Sequence, residues 1–338
     1  MKTDQQDKLL AELCKRLNCS EYTTLKPLTG GVSNLTYRLT DGDNQWIVRT
    51  SPPGTKAQGA HDMQREFNLL QALSGLYALS PKVHFIIDDS DVFPRPVYVM
   101  EAIEGIEIHK NLPDHYTAND PPALCHALIK AQLQLHQVPL NAALQTFNKG
   151  RGYIDRQIHG WIKRYQNVQA AHNHADIVMT WLQKNIPDDN RNYCLIHNDF
   201  KFDNLIFDQQ EPTTVKGVLD WEMATVGDPL MDLGCSLAYW IVADDPASLQ
   251  AIRTQPTTAN NMLSRDEYVQ HYCQLSGLSL DNYDFYYVYG LFRLMVIVQQ
   301  IYYRYEKGQT DDQRFKPFGQ IRDILIQHSQ QHIGDSHV

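Results

Sequence analysis

The sequence lacks the features that mark several large classes of protein. Its 338 residues contain no Lys/Arg-rich tract interleaved with aromatic residues, so we expect no nucleic-acid-binding surface. The longest apolar stretch, around 294-LMVIV-298, is far too short to span a membrane. The first residues, MKTDQQDKLLAELCKRL, are amphipathic and lack the apolar core of a signal peptide. We therefore predict a cytoplasmic protein with neither nucleic acid nor membrane as a partner.

Cysteine is scarce and shows no metal-binding or disulfide pattern. The six cysteines contain no CxxC pair and mostly lie in apolar runs, which is typical of reduced, buried cysteines in a cytosolic protein. The scattered histidines have no acidic or cysteine partners at ligand spacing, so zinc is not predicted. With 43% hydrophobic and 20% charged residues and a net charge of -9, the chain has the composition of a globular protein.

Secondary-structure signals change in kind along the chain. After a helix at 4–18, five strand-like segments surround one helix near 58–73, and Asp41-Gly42-Asp43 marks a hairpin. Beyond the polar segment 104–122, helical patterns dominate. The strands are predicted at 23–29, 34–40, 45–50, 83–88 and 96–103, and the later helices at 123–137, 154–186, 231–243, 264–276, 281–306 and 312–334. This order predicts an α+β fold of two lobes: residues 1–103 with a small five-stranded antiparallel sheet, and residues 104–338 mainly helical.

One strand-loop-strand unit, 195-LIHNDFKFDNLIF-207, concentrates polar residues between apolar runs, and 217-GVLDWE-222 follows it. Asp199 and Asn204 have the spacing of a catalytic Asp and a metal-binding Asn in kinase-type phosphoryl transfer. Asp220 ends an apolar run, where a second metal ligand is expected. Carboxylate and amide oxygens of this kind suit Mg²⁺.

A simpler interpretation makes these polar residues turn elements, since Asp and Asn side chains bond nearby backbone. Asp203 is interpreted in that way. The turn interpretation does not account for the upstream glycine turn or for an Asp at the end of a strand, so we favour a catalytic loop.

The same blocks resemble the aminoglycoside phosphotransferase family within the protein-kinase-like fold, and in particular its acyl-CoA-dehydrogenase-associated branch. The resemblance covers roughly residues 25 to 305, and 195–207 and 218–234 are its most specific parts. The segments that carry it are 28-LTGGVSNLTYRL-39, 46-WIVRTSPPG-54, 61-HDMQREFNLLQAL-73, 97-VYVMEAIEG-105, 195-LIHNDFKFDNLIF-207 and 218-VLDWEMATVGDPLMDLG-234.

The resemblance implies roles for the residues of the loop. Asp199 would be the catalytic base or hydroxyl-orienting carboxylate, and His197 would organise the loop beneath it. Lys201 would reach toward the transferred phosphate. Asn204 and Asp220 would be the Mg²⁺ ligands, with ATP as the phosphoryl donor.

The resemblance also implies a nucleotide site in the first lobe. Arg49 would contact the phosphates, with Glu66 as its ion-pair partner, and Glu101-Ala102-Ile103 would be the hinge that binds adenine. Asp232 would brace the catalytic loop. The phosphate-covering turn would consist of Gly30, Gly31, Ser33 and Asn34.

The sequence departs from the protein-kinase pattern at three places. Arg49 stands where most kinases have Lys, which keeps the charge but changes the contact geometry. Asp220-Trp221-Glu222 replaces Asp-Phe-Gly. Asn198 precedes Asp199 in place of Arg, so no activation by loop phosphorylation is expected.

Residues of the later helices are candidates for the acceptor site. Arg156 and Arg293 lie in apolar helical patterns, where a cation either pairs with a core carboxylate or faces an anionic substrate. Such arginines weigh against a polycationic antibiotic. The candidates are Tyr153, Arg156, Trp161, Trp240, Arg293 and Arg304.

The sequence therefore predicts an ATP-dependent, Mg²⁺-requiring phosphotransferase. It would act on a hydroxyl of a small metabolite, with a hydroxyacyl or other anionic compound favoured. An aminoglycoside or amino-alcohol kinase and a nucleotide-binding pseudokinase module remain as alternatives. A hydrolase built on His197 and Asp199 is less favoured, because no nucleophile-elbow motif accompanies them.

Overall fold

The computed structural model describes residues 3–20, 22–28, 34–53, 62–168, 175–279 and 281–335. A five-stranded antiparallel sheet forms the first part, with strand order β1-β2-β3-β5-β4. Its elements are α1 (Thr3–Leu17), β1 (Thr24–Pro27), β2 (Leu35–Asp41), β3 (Asn44–Thr50), α2 (Met63–Leu73), β4 (Val83–Ile87) and β5 (Val97–Glu101).

The two faces of this sheet are covered differently. Leu9 and Leu13 of α1 are buried against Leu39 and Val48 of β2 and β3, which gives the sheet a small core of its own. Helix α2 joins the main core of the protein instead, because its buried leucines pack toward the helical part. The β2–β3 hairpin turns at Gly42, whose φ of 58° suits glycine.

The second part is mainly helical, with short strands in its centre. β7 pairs with β10, and β8 pairs with β6 and β9, all antiparallel. The elements are β6 (Ile106–Glu107), α3 (Asp120–His136), α4 (Ala142–Gln145), α5 (Tyr153–Asn167), α6 (Asp176–Lys184), β7 (Cys194–Ile196), β8 (Leu205–Phe207), β9 (Val215–Val218), β10 (Thr225–Gly227), α7 (Pro229–Leu237), α8 (Ala247–Ala251), α9 (Arg265–Ser276), α10 (Tyr283–Glu306) and α11 (Phe318–Asp335).

Helices α7 and α10 cross with their backbones almost in contact. A Cβ atom on Gly290 would lie 2.0 Å from the carbonyl oxygen of Gly234, and one on Gly234 would lie 2.2 Å from that of Tyr286. Any larger residue at either position would push the helices apart. The crossing therefore fixes the residues just beyond it, Cys235 on α7 and Arg293 on α10, close to each other.

The α+β class and the five-stranded antiparallel sheet are confirmed, and several details differ from the prediction. The pattern at 154–186 forms two helices, α5 and α6. Helix α7 ends at Leu237, and α11 begins at Phe318 after a 3-10 turn at Gln313–Phe315. The strands that flank the central loop, β7 and β8, are confirmed. The short strands β6 and β10 and the helices α4 and α8 were not predicted, because these segments of two to five residues show no clear periodicity.

Two further expectations concern the whole chain. All six cysteines are free, but only Cys125 and Cys235 are fully buried, so the prediction of buried cysteines holds for these two alone. Within the described ranges, no helix combines the length and the apolar character that crossing a membrane requires. The division into lobes at residue 103 stays a prediction.

Candidate active site

His197 anchors the backbone of the central loop. Its ring is fully buried, Nε2 lies 2.9 Å from the carbonyl oxygen of Leu219, and the amide of Asp199 donates to Nδ1 at 3.3 Å. This pattern requires the proton on Nε2 and an unprotonated Nδ1. Burial lowers the pKa of His197, although Asp232 raises it, so the ring stays neutral. In this geometry His197 ties the loop to the segment before Asp220.

Asp232 holds the loop from below. Its buried carboxylate accepts hydrogen bonds from the backbone amide of Asn198, from Gln132 Nε2 at 3.1 Å and from His136, whose Nε2 lies 2.9 Å away. Burial raises the pKa of Asp232, but the bond and the charge of His136 outweigh it and the pKa is lowered. Asn198 has a φ of 65°, a conformation that Asn tolerates better than most residues. The sequence did not identify Gln132 and His136, because nothing in the α3 pattern separates them from ordinary helix positions.

Asp199 projects from this support as an ionised carboxylate. Its Oδ2 lies 3.1 Å from Lys201 Nζ and accepts from Asn204 Nδ2 at 2.9 Å. Burial raises the pKa of Asp199, but the charges of Lys201 and Arg293 outweigh it and lower the pKa to about 2. A carboxylate held in this way can accept a hydrogen bond from a hydroxyl group and then its proton.

Lys201 lies between two carboxylates and an aromatic ring. Its Nζ is 3.7 Å from Asp203 Oδ2 and 4.5 Å from the centre of the Tyr239 ring. Asp203 also accepts from Gln255 Nε2 at 2.7 Å, and Gln255 in turn accepts from the amide of Phe202. Asp203 is therefore more than the simple turn residue that the sequence suggested, and Gln255 is a second supporting residue that the sequence did not reveal.

Asn204 and Asp220 present the oxygen atoms that a hard cation needs. The amide nitrogen of Asn204 donates to the Asp199 backbone oxygen at 2.8 Å and to its carboxylate, so the amide oxygen is the group left for a metal. The amide of Leu219 donates to the Asn204 carbonyl at 2.8 Å, which places Asp220 on the neighbouring segment. Asp220 has a φ of 66° and ψ of 63°, and its side chain is 36% exposed. This donor set fits Mg²⁺.

Arg49 connects the sheet to the same loop. Its Nη2 lies 3.0 Å from Asp220 Oδ1, 3.5 Å from Glu66 Oε1 and 3.9 Å from Glu222 Oε2. Burial lowers the pKa of Arg49, but Glu66 and the other carboxylates raise it, so the guanidinium stays charged. Burial raises the pKa of Glu66 against the effect of Arg49. Nothing in the sequence marked Glu222 as a third partner.

The segment after Asp220 contacts both the phosphate-covering turn and α2. Asn34 Nδ2 donates to Glu222 Oε2 at 2.6 Å, and Arg65 donates to the carbonyls of Glu222 at 3.2 Å and Ala224 at 2.5 Å. Arg65 is another residue that the sequence did not identify. The other members of the turn, Gly30, Gly31 and Ser33, lie outside the described residues.

The predicted hinge lies at the end of β5. The Glu101 carboxylate accepts from the amide of Lys82 at 2.9 Å, so its side chain is used within the sheet. Ile103 packs on Gly217, where a Cβ atom would lie 2.4 Å from Ile103 Cδ1. Their role in adenine binding stays a prediction.

The predicted acceptor-site residues fall into three groups. Tyr153 and Trp240 are buried and support the loop. Asn198 Nδ2 lies 3.5 Å from the Tyr153 hydroxyl, and the Trp240 ring stacks on the Phe202 ring with 5.7 Å between their centres. Arg156 and Arg304 are exposed, and Arg156 donates to the carbonyls of Gly150 and Arg151. Trp161 and Arg293 are both buried, with the guanidinium 5.3 Å from the Trp161 ring.

The model of the phosphotransferase enzyme family (APH) matches residues 24–268, which include the whole loop and its support. The chain belongs to this family. Mouse acyl-CoA dehydrogenase family member 10 is 33% identical over 303 residues, which are 88% of this chain and 28% of that protein. Human acyl-CoA dehydrogenase family member 11 is 31% identical over 298 residues, 86% of this chain and 37% of that protein. The APH chain thus spans about a third of these relatives' length.

Solved structures show the same fold. A candidate aminoglycoside phosphotransferase from Ralstonia eutropha superposes with a TM-score of 0.78 at 24% identity, covering 96% of this chain and 98% of that one. A mutant of the aminoglycoside phosphotransferase APH(4)-Ia, solved with ADP and hygromycin B, gives a TM-score of 0.59 at 14% identity, covering 94% and 97%. At these identities the structures establish that this APH-family chain has the kinase-like fold.

Proposed function

We propose that this chain transfers the γ-phosphoryl group of ATP to a hydroxyl group of a small metabolite. The observation that carries the proposal is the geometry of Asp199, whose carboxylate is fixed by Lys201 and Asn204 and ionised at neutral pH. The family match supports the reaction class, and the APH(4)-Ia complex with ADP and hygromycin B is a relative in fold that binds a nucleotide and a small molecule.

The positions of these groups support the following reaction. The acceptor hydroxyl donates a hydrogen bond to Asp199, its oxygen forms the new bond to the γ-phosphorus, and the bond from that phosphorus to the leaving ADP oxygen breaks. The hydroxyl proton passes to Asp199. Because the transition state is loose, positioning of the hydroxyl and stabilisation of charge contribute most of the catalysis. Lys201, 3.1 Å from Asp199, would offer a positive charge beside the migrating group.

The metal and the nucleotide would be held by the residues around this centre. Asn204 and Asp220 would hold Mg²⁺, which, when bound, neutralises phosphate charge. Arg49, buried and paired with Glu66 and Asp220, would bind phosphate oxygens from the sheet side. The first lobe, residues 1–103, would carry the nucleotide, with Glu101 and Ile103 at the adenine, and residues 104–338 would carry the acceptor.

We favour a hydroxyacyl compound or another anionic metabolite as the acceptor. The names of the mouse and human relatives connect homologous chains with acyl-CoA metabolism, and the buried cation Arg293 lies near Asp199. An aminoglycoside or amino-alcohol kinase is the second candidate, supported by the structural likeness to APH(4)-Ia with bound hygromycin B.

The free state of all six cysteines is in keeping with a cytoplasmic location.

An ADP-release assay tests the proposal. The chain is incubated with Mg·ATP and separate panels of hydroxy acids, hydroxyacyl thioesters, amino alcohols and aminoglycosides, with product phosphorylation confirmed by mass spectrometry. Turnover of an anionic hydroxyl compound is the expected result. Turnover of the amino compounds alone would support the second candidate. Mg·ATP binding without turnover of any acceptor would indicate a pseudokinase module and contradict the proposal.

A further inference from the structure

Arg293 is a buried cation, and one nitrogen of its guanidinium is unbonded. The residue lies on α10, is 2% exposed, and its Nη2 atom makes no hydrogen bond. In the part of the chain that the structure describes, no carboxylate forms an ion pair with it. A buried charge that lacks such a partner carries a large desolvation penalty, and most proteins avoid it. Its retention at this place therefore calls for a functional explanation.

The surroundings of Arg293 are polar but almost uncharged. Burial lowers the pKa of Arg293, and Cys235, Tyr289, Asp199 and Tyr239 raise it. Burial raises the pKa of Cys235 to about 12 and also raises those of Tyr239 and Tyr289, so these three groups are neutral at pH 7. Asp199 is the ionised member of the set, and its carboxylate is already bound by Lys201 and Asn204. The guanidinium thus keeps a positive charge that none of these groups pairs with, near enough to Asp199 for each to shift the pKa of the other.

The helix crossing keeps this charge in place. Gly234 and Gly290 let α7 and α10 approach until their backbones touch, and Arg293 follows Gly290 by three residues on α10. The ring of Trp161 covers the guanidinium at 5.3 Å. An arginine fixed in this way has a preorganised, unbonded Nη2 group, which can donate a charge-assisted hydrogen bond to a carboxylate oxygen.

We propose that Arg293 is the specificity-determining residue of the acceptor site and binds the carboxylate of a hydroxy acid whose hydroxyl lies at Asp199. This inference rests on the proposed function, since it places the acceptor at Asp199. The carboxylate supplies the anion that the described residues do not. A polycationic acceptor would meet the guanidinium with the wrong sign of charge.

A purely electrostatic role is the competing explanation. Arg293 would then only help Lys201 to keep Asp199 ionised, and its loss would affect every acceptor to the same degree. Recognition of the acceptor predicts instead that the loss depends on whether the acceptor has a negative charge. The two explanations differ in the ratio of rates for charged and neutral acceptors.

The experiment uses short-chain hydroxy carboxylates and their primary amides, which keep the hydroxyl and remove the charge. For each pair, kcat/KM is measured for the native protein, Arg293→Met and Arg293→Lys. The carboxylate-to-amide ratio should fall about ten- to a hundredfold in Arg293→Met, mainly through KM, since a charge-assisted hydrogen bond is lost. Arg293→Lys should recover part of the preference because it keeps the charge.

Arg164→Gln is the matched control. The Arg164 guanidinium also lies over the Trp161 ring, at 4.6 Å, but this residue is exposed. Removing it deletes an arginine from the same aromatic ring without touching the buried site, so the ratio should stay at the native value. A comparable fall in this variant would show that disturbance of Trp161, and not the charge of Arg293, sets the preference.

Binding of the same compounds, measured by calorimetry with a non-hydrolysable ATP analogue and Mg²⁺ present, separates this inference from the proposed function. If neutral alcohols are phosphorylated and carboxylates show no advantage in binding or turnover, the inference is wrong and the function stands. If carboxylates bind through Arg293 and no hydroxyl is phosphorylated, the function is wrong and the anion site stands. An equal loss for acids and amides in Arg293→Met overturns the inference. If Arg293→Met fails to fold, the carboxylate-to-amide ratio is measured in Arg293→Lys instead.

Discussion

Arg49 on strand β3 and Asp220 on the loop after β9 form an ion pair, with 3.0 Å between Nη2 and Oδ1. The same guanidinium lies 3.5 Å from Glu66 on α2. Two consecutive elements, β3 and α2, thus meet a loop that lies 171 residues later in the chain at one buried cation. This arrangement connects the nucleotide side of the proposed site to its metal side, and it can be tested from either direction.

Replacing Glu66 by Gln should weaken ATP binding more than acceptor binding. The amide keeps the shape of the side chain but removes the charge that orients Arg49, while Asp220 and Glu222 still hold the guanidinium near its place. We expect KM for ATP to rise several-fold with KM for the acceptor nearly unchanged. Steady-state kinetics with each substrate varied in turn gives both values.

Glu12→Gln is the control for this change. It makes the same chemical substitution in a surface i,i+4 pair, Glu12 with Arg16 at 2.7 Å, whose contribution to stability is at most about 1 kcal/mol. Native ATP kinetics in both variants would contradict the assignment of Glu66 as the partner that positions Arg49.

Asp220→Asn should remove Mg²⁺-dependent nucleotide binding and leave the protein folded. Asn is chosen over Ala because residue 220 has a φ of 66°, where Asn fits and where Ala would add about 1–2 kcal/mol of backbone strain. Calorimetric titration of ADP with and without Mg²⁺ measures the effect. An unchanged dependence on Mg²⁺ in the variant would show that Asp220 is not a metal ligand.

Asp232→Asn should lower both stability and kcat. The amide group that replaces one carboxylate oxygen would face the donors of Gln132 and His136, and an unsatisfied buried donor costs about 1–3 kcal/mol. Because this unfavourable contact displaces residue 232, and with it the loop that it supports through the amide of Asn198, kcat should fall while affinity for the nucleotide changes little. Denaturant unfolding and kinetics measure the two effects.

The control is Asp284→Asn. This change alters a partly exposed contact, in which Asp284 Oδ1 lies 2.8 Å from His332 Nε2. Such a pair should contribute less than about 1 kcal/mol. If the two variants lost the same stability, Asp232 would be no more than an ordinary polar residue.

The pH profile should show no acid limb from Asp199 in the ordinary carboxylate range. Burial raises its pKa, but Lys201 and Arg293 outweigh it and bring the pKa to about 2, below the unfolded value of about 3.9. The stabilisation from this carboxylate is therefore complete above about pH 4 and is lost as the pH falls through the folded pKa. In the native protein, kcat/KM should stay flat with respect to Asp199 down to that range.

Lys201→Met removes the largest of the interactions that lower this pKa, so the acid limb should move to higher pH in the variant, together with a loss of kcat. Protonation of ATP affects both proteins alike and cancels in the ratio of their profiles. Identical acid limbs would show that Lys201 does not control the charge of Asp199.

Much of the site could be predicted because its residues follow one another closely. The spacing from His197 to Asn204 and the strand-end position of Asp220 are local patterns, and local patterns are visible in a sequence. The five strands were visible as short apolar runs bounded by turn residues, and the long helices α3 and α10 were visible because each has enough residues to show a period.

The supporting residues could not be predicted, because their partners are remote in sequence. Gln132 and His136 reach Asp232 across about a hundred residues, and Gln255 reaches Asp203 across 52. Each looks like an ordinary polar residue until the fold brings it to the loop. The buried state of Arg293 is of the same kind, since it depends on the crossing of α7 and α10 at Gly234 and Gly290.

The most direct test of the account is kcat for Asp199→Asn with a confirmed acceptor. The amide keeps the hydrogen-bonding reach but loses the charge and basicity, and assistance by a general base is typically worth about 10²–10⁴-fold. Asp203→Asn is the neighbouring control, which should lose far less because Asp203 contacts Gln255 and Lys201 but not the acceptor hydroxyl. We expect kcat of Asp199→Asn to fall within or beyond that range, with nucleotide affinity nearly unchanged. A native kcat in Asp199→Asn, or equal losses in the two variants, would contradict it.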